Sequence, residues 1–513
     1  MPKLMKYISL GIVLLLIVFQ FWVVLNEQRT PSSADWSRSF PSNVGVGDYA
    51  KIASVPNEKG YALSLTNFKE LDLLQCSEEM QCTEKWSKSD IDPYKNTWSD
   101  GESTYFITKD ESFIHSTLEA GDTEISPAVE NFTKSDQTLV YWTTNQQVLI
   151  QHGADQPVSF KPEFPVYTSL VAGEQVVIVT HDVQNNLFIV LDGTNDLHEL
   201  FQFRLSPNES ISSLGISIDH AQPDNYKLLL DMSKSSGGSI TKVIRELSFD
   251  LSENQTPKMS NLTFVDQESG ANLFSVRNVF LQNDGNETNI TFSAMMYDSF
   301  GDVVNKVFTG TYDDLLISAD AVTKKGESYV NPIFVNDETI AYFRLDGKEK
   351  HLMYSSSSEA KIAQSANGLK GDMKESLFTL ISLMFNGFVL LLLSITWLIP
   401  TLILGYGAIG ILTKLYKPYA YTVGFWANFL ALIGSQLILF NTLFHPEKII
   451  SKAPYLTEVW HVSAVIGIAG LLCILPVLLG RTKVTDDNCN KLILLTTGLN
   501  LICLFFLLGP YFL

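Results

Sequence analysis

Apolar and polar positions divide this chain into three kinds of segment. Tyr7 to Leu25 is a run of nineteen residues without charge, preceded by Lys3 and Lys6. A helix of that length, at about 1.5 Å per residue, just spans a hydrocarbon core of about 30 Å. From Gly45 to Ser358 the apolar residues come in short bursts separated by polar turns. From Ser376 to Leu412 there are thirty-seven residues without one Asp, Glu, Lys, Arg or His, and further apolar runs follow at 421–443, 459–479 and 492–510.

The short bursts predict strands. Those starting at Tyr61, Thr104, Thr138, Val176, Tyr226, Ile290 and Thr339 are rich in β-branched, aromatic or long aliphatic residues. Most are followed by a polar turn and a second strand. Asn145-Gln146 precedes Val148, Gln184 to Asn186 precede Leu187, and Asp346-Gly347-Lys348 precede His351. An Asp-Gly pair between strands signals a type I′ hairpin, whose turn residues must tolerate positive φ. The seven hairpins recur at a mean spacing of about 46 residues, in the range of four-stranded propeller blades. The expectation is an all-β, propeller-like domain of about seven blades over 45–358. In a closed ring the first and last strands share a blade, so the chain segments flanking the ring are expected to be neighbours.

Two stretches carry a family resemblance. Asn331 to Tyr354 runs as a Pro near the start, a polar turn, a strand, Asp-Gly and a second strand, and Trp98 to Ile107 matches the first half of the same pattern. Both resemble repeats of the TolB-type β-propellers. The resemblance implies architecture only.

The long apolar segments predict a membrane protein with an α-helical C-terminal bundle. Residues 1–6 are read as cytoplasmic, 7–25 as a retained anchor and 26–44, with Pro31 and Pro41, as a tether. Ser32 and Ala34 offer a cleavage site only nine residues beyond Leu25, the alternative to retention. Residues 359–375 are read as a linker and 376–412 as one long apolar helix kinked at Pro400. Segments 421–443, 459–479 and 492–510 complete five spans. Lys414, Lys417, Arg481, Lys483 and Lys491 mark the inner loops, which leaves 26–375 extracytoplasmic at a plasma membrane. Lys448 and Lys452 in an outer loop oppose that rule.

Charge sharpens this division. Residues 27–375 hold 51 acidic and 27 basic side chains, whereas the remainder hold 4 and 9. So acidic an exterior argues against nucleic acid, whose phosphates need clustered Lys and Arg. It serves solubility or an acidic docking face.

Catalytic constellations are not evident. The chain has no Gly-x-Ser-x-Gly elbow, no His-Glu-x-x-His, no phosphate loop and no Cys-x-x-Cys. His115, His152, His181, His198, His220 and His351 are scattered singly, so neither metal nor cofactor is expected. Cys76 and Cys82 are the two exterior cysteines, and they either bridge across a small hairpin or remain free thiols. Cys473, Cys489 and Cys503 belong to the membrane part. The six Asn-x-Ser/Thr sites, at Asn131, Asn208, Asn254, Asn261, Asn286 and Asn289, are about what chance supplies in so polar a segment. Short inner loops point to a bacterial protein.

Two classes of function remain. The first is a non-enzymatic, membrane-anchored binding or scaffold protein of the cell envelope, with the lipid bilayer and an envelope protein, peptide or polymer as partners. Trp98 and Trp142 would supply aromatic contacts to that ligand, against the alternative that both pack inside blades. The second is a polytopic transporter or membrane-embedded enzyme with the β-domain as its capturing module. The predicted spans hold Asn386, Asn428, Gln436, Asn441 and Asn500 but no mid-depth Asp, Glu, Lys or Arg, which favours the first class.

Overall fold

The computed structural model describes residues 3–512 except 47–50, 58–59, 78–80, 118, 136, 173–174, 195–196, 219–224, 252–255, 285–286, 298–302, 313, 325–327, 347–348, 369–371, 416–418, 443, 445 and 451. The Gly347-Lys348 turn, His220, Lys417 and the Asn254 and Asn286 sites lie outside the described residues. The helices are α1 (Lys3–Arg29), α2 (Glu359–Ala366), α3 (Asp372–Leu393), α4 (Ile395–Leu415), α5 (Ala420–Thr442), α6 (Pro446–Ile450), α7 (Val459–Leu479) and α8 (Asp486–Leu507). The chain forms two compact units, Pro31–Ala366 and Met1–Thr30 with Asn367–Leu513.

The first unit is a ring of seven sheets, each a blade of mostly antiparallel strands taken in chain order. Their first strands are Lys51–Asn57, Trp98–Ser99, Val129–Lys134, Val166–Ala172, Glu209–Ile218, Phe274–Asp284 and Ser328–Asn336, which number blades 1 to 7. Blade 6 gains a fifth strand, because Thr263–Asp266 pairs in parallel with Leu316–Ala321.

All seven strands foreseen from the sequence are the second strand of their blade. The physical reason is burial on both faces. Tyr61 to Thr66 and Val176 to Thr180 are buried at every position, and Ile340 to Phe343 have no exposure. A strand covered on both sides reads as a continuous apolar run. Outer strands such as Gly121–Ser126 and Cys82–Ser89 are largely exposed, and their polar sequences carry no such signal.

The core of this unit lies between blades. Ile107 and Phe113 of blade 2 pack on Phe132 and Tyr141 of blade 3, and Val140, Trp142 and Ile150 of blade 3 pack on Val176 and Ile178 of blade 4. The ring closes where Phe40–Val46 pairs with Glu349–Ser356 as the outer strand of blade 7. The Phe40 and Tyr354 rings stack at 5.1 Å, and the Ser37 amide donates to the Ser356 carbonyl at 2.9 Å. The strand from the N-terminal side thus completes the last blade. This corrects the tether expected over 26–44. Its start continues α1 to Arg29, Trp36 is buried, and Phe40 to Val44 are strand, because their backbone pairs with an otherwise open edge.

In the helical unit, five helices run between two layers of ends. In one layer Thr482 donates to Met5 Sδ at 3.3 Å, Thr422 donates to the Val484 carbonyl at 3.4 Å, and Ile409 fills the space at Gly424. In the other, the Tyr511 hydroxyl donates to Gln20 Oε1 at 3.1 Å, Trp397 meets Phe440 at 6.0 Å, and Phe444 meets Phe512 at 5.1 Å. Helices α1, α4, α5, α7 and α8 each connect these layers. Helix α3 behaves differently. Gln28 of α1 accepts from Ser376 at 2.7 Å and donates to Thr379 at 3.1 Å, while Gly387 abuts Gly509 just beyond α8. The segments flanking the ring, α1 and α3, are therefore neighbours.

The single kinked helix expected over 376–412 is two helices that meet at Ser394. Pro400 lies in the second turn of α4, six residues past that break. A proline inside a helix removes one i→i−4 hydrogen bond, here the one that the Thr396 carbonyl would accept. The Ser394 hydroxyl donates to the Leu391 carbonyl at 2.5 Å and Thr396 to that of Leu393 at 2.7 Å, which satisfies the end of α3. Six helices, not five, are long and apolar enough to cross a membrane, by length and composition. The region 359–375, expected as a linker, contains α2 and the first turn of α3.

Candidate functional site

The first strands of the blades face the axis of the ring, and hydrogen bonds pass from one to the next. Asn96 donates to Asn131 Oδ1 and to the Phe132 carbonyl, both at 2.8 Å, joining blades 2 and 3. Thr133 donates to the Ser169 carbonyl at 2.9 Å, and the Tyr167 hydroxyl donates to that of Ile211 at 3.2 Å. A cavity of ≈ 280 Å³ opens among these strands. Its walls are Thr133, Leu170, Ser213, Gly215, Phe280 and Leu281, with Asp231 reaching in from the second strand of blade 5.

Asp231 is the polar centre of this cavity and is only 5% exposed. The Ser213 hydroxyl and the Asn278 amide donate to its carboxylate. Oδ1 has no hydrogen-bond partner and lies 3.9 Å from Lys242 Nζ. Burial raises the Asp231 pKa above the ordinary carboxylate range, and Lys242 offsets only part of that effect. Elsewhere in blade 5 the balance is reversed. Arg245 grips Glu209 through two bonds of 2.8 and 3.2 Å and holds its carboxyl below the ordinary range.

The two tryptophans singled out from sequence occupy different settings. Trp98 lies on the first strand of blade 2, half-buried, with Lys134 Nζ 4.6 Å from its ring and Tyr105 edge-on at 5.7 Å. Trp142 is 3% exposed, in the core between blades 3 and 4, and its Nε1 has no partner. The structure does not bring them together in one contact. Cys76 and Cys82 face each other across antiparallel strands of blade 1, with Cα atoms 4.0 Å apart, and form a disulfide. Beside it, Asn43 of the ring-closing strand donates to the Cys82 carbonyl at 2.8 Å and accepts from the Cys82 amide at 2.7 Å. That reciprocal pair ties blade 7 to blade 1.

The described histidines remain separate. His115 stacks on Tyr105 at 4.5 Å and His181 on Phe188 at 4.1 Å, whereas His198 sits 3.8 Å from Asp192. Among the described residues no three His, Cys, Asp or Glu side chains are grouped as metal ligands. Sequence reasoning missed Asp231, Ser213 and Thr133. The strands around the axis mix small, polar and aliphatic residues, a pattern without a clear period, and nothing local marks Asp231 as pointing inward.

No family model matches the chain, and no curated protein matches it. Among solved structures it is similar to the N-terminal domain of Nup159, at 12% identity, covering 64% of this chain and 97% of that one with a TM-score of 0.37. It is also similar to BamB from Moraxella catarrhalis, at 11% identity, 63% and 99% coverage and a TM-score of 0.33. BBS1N in complex with ARL6DN is similar at 9% identity, 63% and 98% coverage and a TM-score of 0.40. The seven blades rest on the strand pairing of this chain itself.

Proposed function

We propose that this chain is a membrane-anchored binding or scaffold protein of a bacterial cell envelope. Its helical unit sits in the plasma membrane, its propeller lies on the extracytoplasmic side, and the axial cavity takes part of a protein, peptide or polymer ligand without catalysis. The observation that carries this reading is the pairing, in one chain, of a closed seven-bladed ring with a unit whose outer faces are apolar. Leu14, Val18, Leu404 and Leu471 are all more than half exposed, as lipid-facing side chains are.

The layering of helix ends supports an orientation. Lys414, Arg481, Lys483 and Lys491 lie at or next to the layer of Met5, where Lys3 and Lys6 also sit, and that layer is assigned to the cytoplasm. Lys448 and Lys452 are exceptions in the other layer. The C-terminus is then outside, and α3 lies along the outer surface instead of forming a sixth crossing. Trp98 is the aromatic we assign to the ligand face, Trp142 acting through packing. The fall of 98–107 and 331–354 on blade strands supports kinship with TolB-type propellers. The alternative of transport or membrane-embedded catalysis is less favoured. The buried polar side chains of the bundle include the amides Asn428, Gln436 and Asn500, which suit packing between helices.

Two measurements test this. In intact cells, Glu338→Cys on an exposed propeller turn should react with an impermeant maleimide, over a low background because Cys473, Cys489 and Cys503 are buried. Labelling only after lysis would overturn the topology. Cross-linking and mass spectrometry in native membranes should recover one envelope component, lost in Trp98→Ala or Asp231→Asn. Recovery of none, together with solute uptake in proteoliposomes, would favour the transporter.

A further inference from the structure

A second cavity, of ≈ 460 Å³, lies in the helical unit between α1 and α7. Leu15, Leu16 and Phe19 form one wall, and Val465, Ile468 and Leu472 the other. The volume falls within the usual range of ligand pockets, about 300–1,000 Å³. Its long dimension is set by α7. From His461 at the mouth to Leu472 at the far end is a rise of about 16 Å at 1.5 Å per residue. That is half of a hydrocarbon core of about 30 Å, the depth of one leaflet.

The mouth is polar and specifically ordered. The amides of Thr457 and Glu458 donate to His461 Nδ1 at 3.1 and 3.2 Å. Two donors on Nδ1 fix the tautomer of the neutral ring, so Nε2 carries the hydrogen. Nε2 has no partner among the described residues. Trp460 lies edge-on to His461 at 4.1 Å, is 60% exposed, and donates its indole N–H to Glu458 Oε2 at 2.5 Å. The mouth therefore presents one neutral donor, one carboxylate and one open aromatic face.

We propose that this groove binds one lipid of the outer leaflet, with an acyl chain between α1 and α7 and a zwitterionic, amine-bearing headgroup at the mouth. His461 Nε2–H donates to a phosphate or ester oxygen, while the ammonium lies against the Glu458 carboxylate and the Trp460 ring, a carboxylate and cation–π pair. Glu458 repels a headgroup of net negative charge. The proposal rests on the membrane placement above and adds a headgroup chemistry that placement alone does not imply.

Native mass spectrometry of the full-length protein in detergent, titrated with phosphatidylethanolamine or phosphatidylglycerol, tests it. We expect one phosphatidylethanolamine to stay bound and phosphatidylglycerol to bind about tenfold more weakly. Glu458→Gln should narrow that ratio, and Ala464→Phe, which fills the groove, should abolish the bound lipid. Circular dichroism of both variants separates loss of the site from loss of the fold. Equal retention of both lipids, unchanged by either variant, would mean ordinary annular lipid and would overturn the site. Recovery of the chain in the soluble fraction without detergent would instead sink the membrane placement itself.

Discussion

In the propeller the side chains without any exposure include Leu63, Phe292, Tyr342 and Phe343, whereas in the helical unit Gln20, Gln436 and Asn500 are equally buried and Leu14, Leu404 and Leu471 stand in the open. The propeller hides its apolar groups behind a mostly polar surface, whereas the helical unit buries amides among apolar side chains such as Leu432 and Phe440 and also leaves many apolar side chains exposed. The propeller's stabilisation comes from removing apolar surface from water. With the helical unit in lipid, as proposed, that force is absent between apolar faces, so close packing and interhelical amide bonds take over. The contacts agree. Gln436 donates to Asn500 at 2.6 Å, and a Cβ at Gly405 would come within 2.6 Å of Asn428, so backbones approach where a glycine permits.

The largest effect that sharpens this comparison is in the propeller. Phe343→Ala should cost about 3–5 kcal/mol by leaving a cavity between blades, read as a drop in thermal midpoint. Next is a matched pair that breaks the comparison if lipid is not the solvent. Leu404→Lys, 62% exposed on α4, should cost about 3 kcal/mol in a bilayer, whereas Ile240→Lys, 73% exposed in blade 5, should stay within about 0.5 kcal/mol. Equal and small effects at both positions would show that α4 faces water.

Ring closure is expected to be worth somewhat less. Asn43→Ala removes both bonds to Cys82, and reducing Cys76–Cys82 frees the same edge of blade 1. Each should lower stability by about 2 kcal/mol, and the two together by less than their sum, because they act on one contact.

The smallest effect depends on pH. Asp231 holds its proton more tightly when folded, so its contribution is fully present below the ordinary carboxylate pKa and is lost as pH rises through the raised value. Asp231→Asn should therefore raise the thermal midpoint by a few degrees at neutral pH and converge with the parent in acid. Glu209 has the opposite sign. Its pKa is lowered by Arg245, so its contribution is present above the ordinary value and is lost on acidification through the lowered one. Glu209→Gln should hurt at neutral pH and not in acid, in melts from roughly pH 3 to pH 8.

Much of the fold was legible because the second strand of most blades has a stretch buried on both faces that leaves an apolar run, as at Val176 to Thr180. First strands such as Trp98–Ser99 and outer strands such as Gly121–Ser126 were not, since a half-exposed or very short strand leaves little pattern. The break between α3 and α4 was hidden for another reason. Composition is uniform from Ser376 to Leu412, and the turn at Ser394 depends on hydroxyls bonding back to carbonyls, which apolarity does not encode.

The order of residues alone determined the period of the blades and the apolar segments, because strands covered on both faces and helices with apolar outer faces carry their hydrophobicity in the sequence itself. Tertiary structure alone decided that Phe40–Val46 completes the last blade and that Asp231 points into the axial cavity. It also brought Leu16 and Ile468, some 450 residues apart, to opposite walls of one groove. These are long-range pairings, chosen by which edges and faces are left open when everything local has already formed.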